Sequence, residues 1–229
     1  MTNPLETIIQ QTLAAHADLM RTVGEPARAA AFQWPWDIAS AGATFLGRHL
    51  PAVSALVEGG NKIAGSPSGS SIVGSVSNGP TDPTNTDKIL NNGIFADSLN
   101  AVKSDQLLHT VFIGWSAGAQ VGFLGGGGGS GVAYDIINQS DRATVGFSSF
   151  NLGIGAGIRA GLLLGAMTVP PHQLNYSTCV WQAGASLAVS VLVTVMMNSS
   201  DLSLVGFGLT LGSGIGLSTS SGYGSITAS

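Results

Sequence analysis

Charged side chains are scarce in this sequence. Asp, Glu, Lys and Arg make up 9% of its 229 residues, whereas about a quarter is usual in soluble globular proteins. The eight Lys and Arg residues form no basic run and the net charge is −4. Nucleic acid is therefore not an expected partner, and neither is electrostatic capture by anionic lipid. The hydrophobic share of 44% is ordinary, which argues against disorder by composition.

Cysteine and long apolar runs are also scarce. The single cysteine, Cys179, excludes an intrachain disulfide framework, and we interpret it as a small buried apolar residue. The longest run of low polarity, residues 183–197, is too short for a transmembrane helix. The first residues lack the basic and apolar blocks of a cleavable signal peptide. We therefore expect a cytoplasmic or peripheral membrane protein, or one exported by a route that needs no signal peptide.

The first part of the chain is predicted to be helical. Apolar residues recur at helical spacing through much of residues 1–58, and Pro51 should kink or divide the last helix of this segment. Residues 59–86 are rich in Gly, Ser, Pro, Asn and Thr, which predicts a flexible linker. A short helix is predicted near residues 97–108. Trp34 and Trp36 flank a proline and form a candidate interfacial anchor, with packing against the helices as the alternative.

From residue 109 onward, apolar and small residues alternate. In residues 202–218 the apolar side chains fall on one face and five glycines on the other, because successive strand side chains point to opposite faces. Similar runs precede this one. They are separated by predicted turns at Gly125–Gly129 and at residues 138–141, and by a predicted break at Pro170–Pro171. The fold class predicted is α+β, with N-terminal helices followed by a Gly-rich antiparallel β-sheet domain over residues 87–229 that forms a closed or nearly closed β-barrel.

Such strands can place their apolar face inward or outward. An inward apolar face gives a compact barrel with an almost uncharged surface, which offers little protection against self-association. An outward apolar face is the pattern of membrane barrels. We favour the inward orientation, because the sequence has no clear aromatic girdles and no export signal.

One motif suggests catalysis. Residues Gly114–Gly118 match G-x-S-x-G, the nucleophile elbow of α/β-hydrolases, with Ser116 as the nucleophile. Asp141 (or Asp135) and His172 follow in the hydrolase order and could supply the acid and base of a triad. The glycine-rich stretch after the motif cannot form the helix that the elbow requires, so a small strand residue is the preferred interpretation of Ser116. His172 has no companion ligands at metal spacing, so neither a metal site nor a cofactor is predicted.

The segment Gly122–Val132, with its Gly-Gly-Ser-Gly-Val turn, resembles the SYLF lipid-binding domain. The Gly-rich stretch 149–157 and the strand at 205–217 resemble the strands that follow this turn in that family. The resemblance implies a non-enzymatic, membrane-associated module in which Gly125, Gly128 and Ser130 lie at the lipid- or partner-binding turn.

These observations lead to one preferred function and three alternatives. We expect a non-catalytic module that associates with a lipid surface or an apolar protein partner through its Gly-rich, nearly uncharged β-domain. The first alternative is a structural protein that self-assembles as a homo-oligomer. The second is a serine hydrolase that uses Ser116, and the third is a small barrel that carries a hydrophobic ligand.

Overall fold

The computed structural model describes residues 33–186 and 190–229. Within them, five α-helices precede six β-strands of one antiparallel sheet, so the α+β prediction is confirmed. The helices are α1 (Gln33–Arg48), α2 (Leu50–Gly65), α3 (Gly69–Asn78), α4 (Pro83–Leu90) and α5 (Gly93–Ser104). The strands are β1 (Thr110–Val121), β2 (Leu124–Asp135), β3 (Arg142–Met167), β4 (Tyr176–Ser186), β5 (Ser190–Asn198) and β6 (Leu204–Ala228). The helices predicted before residue 33 lie outside the described residues.

The helix boundaries follow local sequence signals. Pro51 divides the helical segment as predicted, because it lies in the first turn of α2, where its missing N–H is not needed. The side chains of Asp82 and Asn92 accept hydrogen bonds from backbone N–H groups at the starts of α4 and α5. Among the described helices, none has the length and apolar character needed to cross a membrane.

The prediction of a flexible linker at residues 59–86 is wrong. Helix α2 continues to Gly65, α3 lies wholly inside this stretch, and α4 begins within it. Its small residues allow close packing: a Cβ on Gly60 would lie 2.3 Å from Leu211 Cδ1 of the sheet. The side chains of Val76 and Thr86 are fully buried. Tertiary packing therefore stabilises helices that their composition alone would not favour.

The strands pair in a ring around a long central ribbon. Strands β3 and β6 pair from Val145–Ala228 to Met167–Gly206. The β1–β2 hairpin lies along one edge of this ribbon, with β2 on the first half of β3 and β1 on the second half. Strands β4 and β5 pair with each other and with the two halves of β6. The described strands thus form an antiparallel sheet whose pairings run in a ring.

The ribbon bends in the middle at two glycines with left-handed backbone conformation, Gly155 (φ +117°) and Gly216 (φ +99°). Direct strand partners connect this bend to the end of β1, because Val121 pairs with Ala156 and Ala156 pairs with Leu217. We call this end of the ring the tip. The opposite end, the base, contains the start of β1 and the end of β3, where Thr110 pairs with Met167.

The apolar face of the strands points outward, so the preferred inward orientation is wrong. Near the base, the outward side chains of β1 and β6, such as Ile113 and Phe207, are buried in one core with the helices. A second, smaller core inside the ring contains Phe112 and Leu163. Toward the tip, the inward positions are mostly glycine or polar, and Leu192 is an apolar exception. The helices provide the apolar partner for the outer face, and sequence alternation alone could not reveal that layer.

The turn predicted at Gly125–Gly129 is also misplaced. These glycines are inside β2 and pair with both β1 and β3, and the chain reverses at Gly122, which has φ +60°, and Phe123. The predicted turn at residues 138–141 is confirmed between β2 and β3, and so is the break at Pro170–Pro171 after β3.

The packing of α2 on the sheet generates a stability prediction. Gly60→Val should lower the free energy of unfolding by about 1–3 kcal/mol more than Gly74→Val, because overpacking costs this much. Gly74 is the matched control: it lies inside α3 and no atom would lie within 4 Å of an added Cβ. Both variants change helix propensity equally. Equal denaturant midpoints for the two variants would contradict the close contact of α2 with β6.

Tyr134 generates a pH prediction. Its hydroxyl contacts the Thr86 hydroxyl between β2 and α4, and burial raises its pKa well above the ordinary value of 10.0. Above about pH 10 the unfolded chain therefore loses a proton that the folded protein keeps, so stability should fall as pH rises. In denaturant titrations from pH 9 to 11, Tyr134→Phe should show a shallower fall than the wild type. Parallel curves would mean that Tyr134 does not contribute.

Candidate functional site

Large apolar side chains are exposed around the tip of the ring. They are contributed by the β1–β2 turn and by the bent regions of β3 and β6. Each has between 58% and 76% of its surface exposed. We call the following set the apolar tip: Val121, Phe123, Leu124, Phe150, Ile158, Ile215 and Leu217. An exposed apolar cluster of this kind typically marks an interaction surface.

Strand register brings these residues together. Ile158 and Ile215 are direct cross-strand partners, and Val121 and Leu217 both flank Ala156 in the next row. Phe150 lies on the opposite outer face of the ring, beside Tyr223. The apolar tip therefore covers both outer faces of the ring and the turn that joins them.

Charged side chains, in contrast, are absent from the exposed surface of the tip in the described residues. Between residues 143 and 229 the only charged side chains are Arg159 and Asp201. Asp201 lies at the base, in the connection between β5 and β6, and Arg159 is buried. Arg142 and Asp135 also lie at the base, where β2 ends and β3 begins. No charged side chain is therefore exposed at the tip within the described residues.

The alternating direction of side chains along β1 explains why the tip is apolar. Odd-numbered residues of β1 point outward, and those nearest the base, Val111 and Ile113, are covered by the helices. Trp115 is half-buried, and Ala117 and Val121 are exposed beyond the helices. The same outward stripe thus changes from core to surface along one strand. This stripe was visible in the sequence, but its outward direction and the extent of the helical cover were not.

The interior of the ring near the tip is polar. The Arg159 guanidinium is 4% exposed and donates to the Ser218 hydroxyl and to the carbonyl oxygens of Gly184 and Gly216, at 2.7–3.0 Å. Burial lowers the pKa of Arg159. Gln182 accepts a hydrogen bond from Asn151 Nδ2 at 2.7 Å. The inner surface around this cation therefore consists of neutral polar groups, glycine and the side chain of Leu192.

The structure separates the three candidate triad residues. His172 Nε2 and Asp141 Oδ1 lie 2.8 Å apart, on exposed side chains at the base. Ser116 lies inside the ring, is 4% exposed, and contacts Thr210 Oγ1 at 2.5 Å. It is six residues along β1 from Thr110 at the base, which is roughly 20 Å of strand. The histidine–acid pair therefore has no contact with Ser116.

The other predicted site residues are dispersed. Gly125, Gly128 and Ser130 are on β2 and face Gln120, Ala117 and Trp115 of β1, so they form a strand and not a binding turn. Gly125 adjoins the apolar tip, and the other two lie closer to the base. Trp34 and Trp36 belong to α1, but their side chains lie outside the described part of the chain.

Residues with metal-binding or nucleophilic side chains form no further site in the described ranges. No group of three or more His, Cys, Asp or Glu residues is placed to hold a metal ion there. Cys179 is buried against the helices, as predicted, and burial raises the pKa of its thiol. A thiol in this environment is a packing group and not a nucleophile.

Comparison with known proteins yielded no match to a protein-family model, a curated protein or a solved structure. The resemblance to the SYLF domain therefore stays a prediction.

The position of Ser116 generates a labelling prediction. A fluorophosphonate probe should label the wild type and Ser116→Ala equally weakly, because Ser116 is buried and has no histidine within contact. Labelling is read by gel fluorescence, with His172→Ala as a second control. Strong labelling that disappears in Ser116→Ala would contradict the separation of Ser116 from His172.

Proposed function

We propose that the protein is a non-catalytic membrane-associating module. In this proposal the ring of strands is a nearly closed β-barrel, and its apolar tip inserts into a lipid bilayer. The observation that carries the proposal is the apolar tip itself, a contiguous set of exposed large apolar side chains without an exposed charge among the described residues.

The shape of the apolar tip favours a bilayer over a protein partner. Ile158 and Ile215 are on one outer face of the ring, Phe150 is on the other, and Phe123 is at the turn between β1 and β2. A partner with a flat binding surface would cover only one of these faces. The acyl chains of a bilayer surround an inserted tip on all sides, which buries every one of these residues.

The helices limit the depth of insertion. On β1 the exposed outward positions run from Ala117 to Val121, a length of roughly 16 Å for five strand residues. The hydrocarbon core of a bilayer is about 30 Å thick. The uncovered part of the ring therefore matches one leaflet, and the helix layer and the charged base would remain in the aqueous phase.

The absence of exposed charge at the tip determines the expected lipid preference. Binding should come from burial of apolar area, at about 25 cal/mol per Å², and not from attraction to anionic headgroups. Neutral and anionic vesicles should then bind similarly, and salt should have little effect.

The alternative functions receive less support from the described residues. Each of the six strands pairs with two or more others, so edge-to-edge self-assembly has no free strand edge to use. Three cavities in the ring have volumes of about 10 Å³ each, close to the minimum for one water molecule. These cavities are far too small for a hydrophobic ligand.

Vesicle flotation with the full chain tests the proposal. The wild type should float with phosphatidylcholine vesicles, with or without phosphatidylserine, at low and high salt. Combining Phe123→Ser, Ile158→Ser and Ile215→Ser should weaken partitioning by at least tenfold, because each fully buried side chain of this size contributes about 1.5–3 kcal/mol.

A matched control removes exposed apolar side chains at the base. Leu107 and Ile137 are 61% and 92% exposed there, and the double variant Leu107→Ser, Ile137→Ser should float like the wild type. Equal loss in both variants, or no flotation of the wild type, would overturn the proposal. If the tip variant only converted a dimer to a monomer in light scattering, the apolar tip would be a self-association surface.

A further inference from the structure

Arg159 is a buried cation without an acidic partner among the described residues. Its three hydrogen bonds all go to neutral acceptors, namely Ser218 and the carbonyl groups of Gly184 and Gly216. Its Nε–H has no hydrogen-bond partner. Asp201, the one acid in residues 143–229, lies at the opposite end of the ring.

Such a charge is costly to bury. An arginine does not lose its proton under ordinary conditions, and an ionised group removed from water without a counter-charge is strongly destabilising. The two carbonyl dipoles offset part of this cost. A negative charge near Nε would offset much more of it.

A small cavity lies beside the guanidinium inside the ring. Its volume is about 10 Å³, which is close to one water-sized probe sphere. The polar side chains that line it belong to Ser116, Arg159, Gln182, Thr194 and Thr210. A halide ion is only slightly larger than water, so the cavity can accept one with a small outward relaxation of its walls.

Some hydroxyl groups that line the cavity have a hydrogen that is not used in a hydrogen bond. Gln182 Nε2 donates to Thr194 Oγ1 at 3.2 Å, so the hydroxyl hydrogen of Thr194 is available. Ser116 and Thr210 share a single hydrogen bond, so one of their two hydroxyl hydrogens is also available. The cavity therefore offers two hydroxyl donors beside the positive charge of Arg159, the environment that an anion requires.

We propose that this cavity binds one small inorganic anion, for which chloride is the probe, and that the anion neutralises Arg159 inside the ring. Sulfate and phosphate are too large for the cavity. The proposal is independent of membrane association, because the cavity lies on the inner surface of the ring and the apolar tip lies on the outer surface.

Thermal unfolding of the full chain tests the proposal. Sodium chloride is exchanged for sodium methanesulfonate at constant ionic strength, since methanesulfonate is too large to enter. The Tm of the wild type should rise by about 3–6 °C for each tenfold increase in chloride above its dissociation constant. Bromide should act like chloride. Arg159→Met should remove this dependence.

Two controls keep the result interpretable. Arg142→Met removes an exposed arginine that pairs with Asp87 at the base, and it should keep the full chloride dependence. If Arg159→Met does not fold, Thr194→Val removes one donor and should reduce the dependence. Crystals of the wild type grown in bromide should also show an anomalous peak beside Arg159 Nε. An equal Tm in chloride and methanesulfonate, or crystals without that peak, would mean that water fills the cavity.

Discussion

The close approach of neighbouring strands at inward positions constrains the rest of the structure. Gly114 and Gly131 face each other across β1 and β2, and a Cβ on either would lie 2.2 Å from a carbonyl oxygen of the neighbouring strand. Side chains do not fit at these inward positions, so the inner surface cannot hold a full hydrophobic core. Most apolar residues of the strands are therefore on the outside, and only the smaller core around Phe112 and Leu163 is inside the ring. The helices cover this outer surface near the base and leave it bare at the tip.

Some of this organisation could be predicted from the sequence. The period-two alternation identified the strands, Pro51 divided the helices where expected, and Pro170–Pro171 ended β3. These features depend on local backbone geometry and side-chain direction. The direction of the apolar face could not be predicted, because it depends on which other elements pack on the sheet. The stretch at 59–86 was mistaken for a linker because glycine and serine serve equally in loops and in closely packed helices.

The candidate site, too, combines features that the sequence predicts with features that depend on tertiary structure. Sequence motifs pointed to Ser116, Gly125 and Gly128, but these residues are paired inside the sheet. The apolar tip was not predicted, because its residues come from three strand regions and a turn that only the register brings together. A usable signal was present: large apolar residues flank the Gly122 turn, and no charged residue other than Arg159 occurs on the bent part of β3 or β6. The placement of charged side chains at the base and exposed apolar side chains at the tip arises only in the tertiary structure.

The ring also sets an order for folding on the ribosome. Strand β6 follows the other five strands in the chain, yet it pairs with β3, β4 and β5. Until β6 has been synthesised, the edge of β3 that it covers and the β4–β5 hairpin lack their neighbouring strand. Pairings between distant parts of a chain form slowly, and unpaired strand edges promote aggregation. A nascent chain of this protein therefore keeps unpaired strand edges until β6 is available to close the ring.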